Sequence, residues 1–284
     1  MNSRVAAALA TVFGLDSCAG GSADVEEEHM SGKTVEILGR SIYFVERGEG
    51  APVVLVHGNT GSHLWWSRVM DLPGYRTIAL DLPNFGRSDP LDVADIDAYA
   101  DSLAAFVAVL GLDKPIVVGH SLGGAVVMAL GARRPDLARA LVFVDGAAPS
   151  GLKTPEEHYP LIEKYRTNRD LMRKALSAVA PTMQDQVFLD DLTDDAMLMA
   201  GHAYAGNARA LERFDYRDRA GAFAGPVMVI WGRKDIIITE AMARETLAAY
   251  RNASLRILDD VGHSAMVEAP GFFKELLMEF VSGL

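Results

Sequence analysis

The chain has 284 residues, 50% of them hydrophobic, with a formal net charge of −11 and an isoelectric point near 5.1. No lysine or arginine cluster relieves that acidity, which argues against nucleic acid and anionic membrane surfaces as partners, and no apolar run is long enough to span a bilayer. The single Cys18 excludes an internal disulfide and a cysteine-based metal cluster.

Residues 1–32 read as a leader or flexible N-terminal segment outside the fold. A weakly basic start, an apolar stretch over 5–15 and Cys18 resemble a short secretory or lipoprotein leader, which Asp16 fits poorly as a cleavage context. The expectation is a cytoplasmic protein, exported or lipid-anchored if residues 1–18 act as a leader. Residues 34–38 and 41–46 alternate in polarity around Gly39-Arg40 and predict an antiparallel hairpin. Residues 52–56 and 77–80 are unbroken apolar runs, the pattern of strands buried on both faces. The first leads into His57-Gly58-Asn59 and a helix carrying Trp65 and Trp66, the second into Asp81 and the turn Gly86-Arg87-Ser88. Residues 98–110 are amphipathic, with Leu103, Phe106, Val107 and Leu110 on one face.

Residues 115–119 form another buried strand pattern, and a helix begins at Leu122 and closes at Arg133 and Arg134 before Pro135. Between them stands Gly119-His120-Ser121-Leu122-Gly123. A strand that turns directly into a helix strains the residue at the corner and leaves no room for a Cβ two residues to either side. Ser121 occupies that corner, beside the free N–H groups and positive end of the helix, where a nucleophile belongs if an oxyanion forms next to it.

A strand over 140–144 ends at Asp145. From 147 to 216 strand signals give way to helical segments at 155–165, 169–179, 184–189, 194–205 and 207–214. An all-helical insertion after a strand end reads as a lid. The strand pattern returns at 226–231, followed by Gly232-Arg233-Lys234-Asp235 and a helix over 240–250. A last strand over 254–258 leads to Gly262-His263 and a closing helix over 272–281. The alternation predicts an α/β fold, a mostly parallel eight-stranded sheet with helices on both faces, its ligand site at the carboxyl ends of the strands. The core comprises 33–146 and 217–284, with the lid over 147–216.

From about residue 34 onward the chain resembles the α/β-hydrolase superfamily, in a serine esterase- or lactonase-like branch. The resemblance is carried by His57-Gly58, the Asp81 to Ser88 turn, the elbow at Ser121, the Gly232 to Asp235 turn and Gly262-His263, all in the family's order. A serine hydroxyl needs a base, and the base an orienting carboxylate. The family's chain order of serine, acid and histidine implies Ser121, Asp235 and His263 as catalytic residues, with Asp145 the alternative acid. It also implies an oxyanion hole from the backbone N–H groups of Leu122 and Asn59. Trp65, Met172, Met199 and Tyr204 are expected to wall the substrate pocket. His57 and His120 are expected to orient backbone, and no histidine follows metal-ligand spacing, so neither metal nor cofactor is expected.

These features imply cleavage of a small, moderately apolar ester or lactone through an acyl-enzyme. A homodimer is left open. Cofactor-free haloperoxidase chemistry, C–C bond hydrolysis and a slow-turnover ligand receptor on the same scaffold are the alternatives. Ser121 argues against dehalogenation and epoxide opening, which need a carboxylate at the elbow. Asn59 after His-Gly resembles relatives that open acyl homoserine lactones.

Overall fold

The computed structural model describes residues 32–284, so the leader assignment over residues 1–31 lies outside it. Eight strands form one sheet: β1 (Lys33–Ile37), β2 (Arg40–Arg47), β3 (Ala51–Val56), β4 (Tyr75–Leu80), β5 (Ile116–His120), β6 (Ala140–Val144), β7 (Val227–Gly232) and β8 (Ala253–Leu258). Their spatial order is β1-β2-β4-β3-β5-β6-β7-β8. β1 and β2 pair antiparallel at one edge, β2 is antiparallel to β4, and β3 to β8 run parallel. The expected α/β architecture is the one observed.

The chain moves from β3 to β4 on one side and returns to β5 on the other. Loops leaving β3 and β5 therefore diverge, opening a crevice at their carboxyl ends where ligands bind in such sheets. Asn59 follows β3 and Ser121 follows β5.

Helix α1 (Ile96–Val109) starts at Asp95, whose carboxylate accepts the Ala98 N–H, a capping bond that satisfies one of the orphan donors of the first turn. Helix α2 (Leu122–Arg133) is buried at every position from Leu122 to Gly131. A helix apolar all round can sit only where neighbours cover every face, and α2 does so beneath the crevice.

Four α-helices lie between β6 and β7: α3 (Tyr159–Tyr165), α4 (Arg169–Val179), α5 (Gln186–Ala196) and α6 (Ala203–Arg213). On α4, Met172, Ala175, Leu176 and Val179 share one face at helical spacing. On its other side Arg169 reaches Asp190 and Asp194 of α5, and Arg173 reaches Asp190. These cross-helix pairs correct the expected boundaries. Instead of separate helices over 184–189 and 194–205, α5 is continuous through its acidic stretch. It begins after Asp185, which accepts the Phe188 N–H at 3.0 Å. The chain then turns at 197–202, where the Ala200 N–H donates to the Asn84 carbonyl of the core at 2.8 Å.

The helix expected around Trp65 is a 3₁₀ helix, His63–Val69, capped by Ser62. The chain closes with α7 (Glu240–Ala249), the short α8 (Ala265–Glu268) and α9 (Pro270–Ser282). Among the described residues no helix is long and apolar enough to cross a membrane.

Candidate active site

Ser121 stands between β5 and α2 with φ 52° and ψ −116°, a left-handed conformation that an L residue seldom adopts. Backbone bonds hold it there: its N–H donates to Val144 at 3.1 Å, and its carbonyl accepts from Gly124 at 2.9 Å and Ala147 at 3.1 Å. The glycine spacing has the expected cause. A Cβ on Gly123 would lie 2.4 Å from the His57 carbonyl oxygen and 2.5 Å from that of Val56. Leu122 opens α2, so its N–H has no carbonyl one turn back and is free for a ligand.

His263 and Asp235 come from the loops after β8 and β7. His263 Nδ1 lies 2.7 Å from Asp235 Oδ2, with both side chains buried. The other oxygen, Asp235 Oδ1, accepts the N–H groups of Ile237 at 2.6 Å and Ile238 at 3.0 Å. The two loops meet because residue 232 is glycine: a Cβ there would fall 2.0 Å from the Gly262 carbonyl oxygen. Asp145, the alternative acid, lies beside Asp235, and it is Asp235 that bonds His263 Nδ1. Asp145 Oδ1 accepts the Gly232 N–H at 2.8 Å while its Oδ2 is buried without a partner. Burial first, then the charge of Asp235, push the Asp145 carboxyl well above the usual carboxylate range. The carboxylate on His263 is that of Asp235.

His57 and His120 bond to backbone, and those bonds define their tautomers. His57 Nε2 accepts the Leu82 N–H at 3.0 Å, so Nδ1 carries the proton it shares with the Gly58 carbonyl at 2.8 Å. Burial lowers its pKa to about 4. His120 Nε2 donates to the His263 carbonyl at 2.8 Å, and burial holds this imidazole well below its usual pKa. A neutral His120 thus steadies the backbone of His263, while Trp65 stacks on its ring with centroids 5.8 Å apart.

Glu268, on α8, was not singled out from the sequence. Its carboxylate accepts the N–H groups of Gly262 and Ser264, on either side of His263, at 3.0 and 2.9 Å. It also accepts the Thr182 N–H at 3.1 Å and hydroxyl at 2.7 Å from the inserted helices. The His263 N–H itself donates to Val179 at 3.2 Å. A lone glutamate five residues beyond a Gly-His pair carries no local pattern. Its meaning lies in donors from two segments, the loop around His263 and Thr182 of the insertion.

Ser121 and His263 line one cavity of about 190 Å³, together with Asn59 and Thr60 from the loop after β3. The inserted helices supply Ile162, Tyr165, the Met172 face of α4 and Tyr204. Trp65, Met172 and Tyr204 are among the wall residues. Met199 is not. It is buried with its sulfur 3.7 Å from the Asn207 amide nitrogen, because the turn over 197–202 directs it toward α6. No Asp, Glu, Lys or Arg lines the cavity. Among the described residues no three His, Cys, Asp or Glu side chains are grouped to hold a metal ion.

Residues 53–276 match the Alpha/beta hydrolase family, and the chain belongs to that family of enzymes. A 2-hydroxy-6-oxononadienedioate/2-hydroxy-6-oxononatrienedioate hydrolase from Pseudomonas sp is 26% identical over 277 residues, covering 91% of this chain and 95% of the relative. Two solved structures share the fold. An esterase from Exiguobacterium antarcticum has a TM-score of 0.81 at 20% identity, covering 89% of this chain and all of its own. The enol-lactonase from Burkholderia xenovorans LB400 has a TM-score of 0.80 at 21% identity, covering 88% and 100%.

Proposed function

We propose that this α/β hydrolase cleaves a carboxylic ester or lactone of a small, moderately apolar substrate through an acyl-enzyme on Ser121. The observation that carries the reading is the His263–Asp235 bond at 2.7 Å, opening with Ser121 onto a cavity free of charged side chains. Asp235 accepts from His263 Nδ1 and so leaves Nε2 with its lone pair, the tautomer a general base requires. Ser121 Oγ attacks the substrate carbonyl carbon while His263 Nε2 takes its proton. The oxyanion is held by the backbone N–H groups of Leu122 and Asn59. As the tetrahedral adduct collapses, the alkoxy oxygen leaves with the proton from His263. Water then attacks the acyl-enzyme, giving its proton to the same imidazole, and the acid departs as Ser121 is restored.

The inserted helices over 147–216 serve in this reading as a lid whose apolar face on α4 takes the acyl group. The uncharged wall favours this chemistry over that of the dioate hydrolases, since a substrate with two carboxylates buried there would lack a cationic partner.

Turnover of p-nitrophenyl esters from acetate to laurate, beside a set of lactones, tests the reading. Short acyl chains are expected to turn over fastest, and Ser121→Ala to abolish the reaction. Full activity in Ser121→Ala would overturn it. A stoichiometric burst followed by silence would point to a receptor instead.

A further inference from the structure

A chain of buried amides and one phenol runs from the core through the inserted helices to Asn59. The Leu91 N–H donates to Asn84 Oδ1 at 2.8 Å. Asn84 Nδ2 donates to the Tyr99 hydroxyl at 2.7 Å, and that hydroxyl donates to Asn207 Oδ1 at 2.8 Å. Asn207 Nδ2 then donates to Asn59 Oδ1 at 2.8 Å. Asn84, Tyr99 and Asn207 are all buried, so water cannot substitute for a lost partner.

We propose that this relay fixes the polarity of the Asn59 side chain, so that Asn59 turns its amide NH₂ and not its carbonyl toward the substrate oxygen, and that Tyr99 and Asn207 are positioning residues of the reaction. The proposal rests on the Ser121 hydrolase reading and adds a side-chain donor to the two backbone donors named there.

The direction follows from one backbone group. A peptide N–H can only donate, so the Asn84 atom facing Leu91 is the oxygen and the atom facing Tyr99 is NH₂. The phenol has a single proton. Having accepted from Asn84, it donates that proton to Asn207, whose facing atom is therefore the carbonyl. The other end of Asn207 is NH₂, with one hydrogen toward Asn59 and the second toward the Met199 sulfur at 3.7 Å, a weak acceptor. Asn59 Oδ1 is thereby engaged, and Nδ2 is the end of this cavity-lining side chain left for a ligand. Reversing any one amide sets a donor against a donor, and reversing Asn207 also orphans the buried phenolic proton, which such interiors do not tolerate. Asn207 sits on α6 and Tyr99 on α1. A donor beside Ser121 is thus oriented by an inserted helix seated on the core.

The test is a double-mutant cycle on kcat and KM for p-nitrophenyl acetate, with melting curves for every variant. Tyr99→Phe keeps the ring and removes the hydroxyl, the acceptor for Asn84 and the donor to Asn207. Asn207→Asp is near-isosteric and, once ionised, can only accept, so at a pH above its titration Asn59 must swing its NH₂ to it and turn its carbonyl to the cavity. Loss of one oxyanion donor costs roughly 10²–10³ in kcat. Asn207→Asp is therefore expected to lower kcat about 100-fold, more than Asn207→Ala, and Tyr99→Phe about 3- to 10-fold, with KM changed much less. Packing alone predicts the opposite order for Asp and Ala.

In an Asn59→Ala background, both Tyr99→Phe and Asn207→Asp are expected to add less than about 3-fold, because their effect runs through Asn59. Equal losses with and without the Asn59 side chain would overturn the proposal by showing a direct charge or folding effect. If Asn207→Asp does not fold, the Tyr99→Phe arm decides alone. A fully active Ser121→Ala would instead defeat the hydrolase reading itself.

Discussion

Replacing Asp235 with asparagine exchanges one oxygen for NH₂ at constant shape, and the surrounding bonds dictate which way the amide must face. Oδ1 accepts two backbone N–H groups, from Ile237 and Ile238, so the asparagine oxygen has to stay there. A flip would aim NH₂ at both donors. The NH₂ therefore takes the place of Oδ2, against His263 Nδ1, and as a donor it obliges Nδ1 to accept. The imidazole proton moves to Nε2, where it blocks transfer from Ser121. A wrong tautomer of this kind costs about 10⁴-fold in kcat, equivalent to about 5 kcal/mol of transition-state stabilisation. Asp145→Asn is the matched control. Asp145 gives one oxygen to the Gly232 N–H, and its other, unpartnered oxygen suits a neutral group. Asparagine keeps that neutrality, and a loss below about tenfold is expected. Steady-state ester hydrolysis and melting temperatures of both variants decide the matter. A folded Asp235→Asn within tenfold of the parent, or an Asp145→Asn that loses more, would refute the reasoning.

Glu268→Ala removes an acceptor for four donors; with charged hydrogen bonds at about 1.5–3 kcal/mol each and strongly non-additive, a destabilisation of roughly 3–5 kcal/mol and a marked fall in kcat are expected, read by urea denaturation and ester turnover. Gly123→Ala drives a Cβ into two backbone carbonyls that cannot recede, and a loss of at least about 2–3 kcal/mol or of soluble expression is expected; a normal melting curve would contradict the contact. The fold also senses acid. His57 stays neutral down to about pH 4 in the native state but titrates near 6.5 when unfolded, so stability is complete above about 6.5 and falls as the pH drops toward 4, by up to about 3 kcal/mol, with His120 adding in the same direction. Urea midpoints at pH 7 and pH 4.5 measure it, and identical midpoints would rule it out.

The parallel strands were legible because burial on both faces writes an unbroken apolar run, and each run ended in a motif whose residues must lie at one edge of the sheet. The same logic made the elbow readable: Gly123 answers to carbonyls of β3 and its following loop and Gly119 to the carbonyl of Gly123, contacts the G-x-S-x-G spacing already encodes. The inserted helices were less readable. Their boundaries depend on Arg169 and Arg173 meeting acids some twenty residues away, and local periodicity carries no trace of such pairs. Met199 was misplaced for that reason, as an error in a turn rotates every side chain after it. Glu268, Tyr99 and Asn207 were invisible as functional candidates because each acts through partners distant in sequence.

The carboxylate of Glu268 staples two things that a lid would be expected to keep apart. Thr182, just beyond α4, is fastened to the same group that brackets His263, and Val179 receives the histidine's own N–H. In the proposed reading, lifting that end of the helices would pull the imidazole away from Asp235 and stop turnover in the same stroke. In the same reading α3, which brings Ile162 and Tyr165 to the cavity, would rise with the staple still closed. Amide exchange that is fast across Tyr159–Tyr165 and slow around residues 176–182 is the signature of a door hung on that one side.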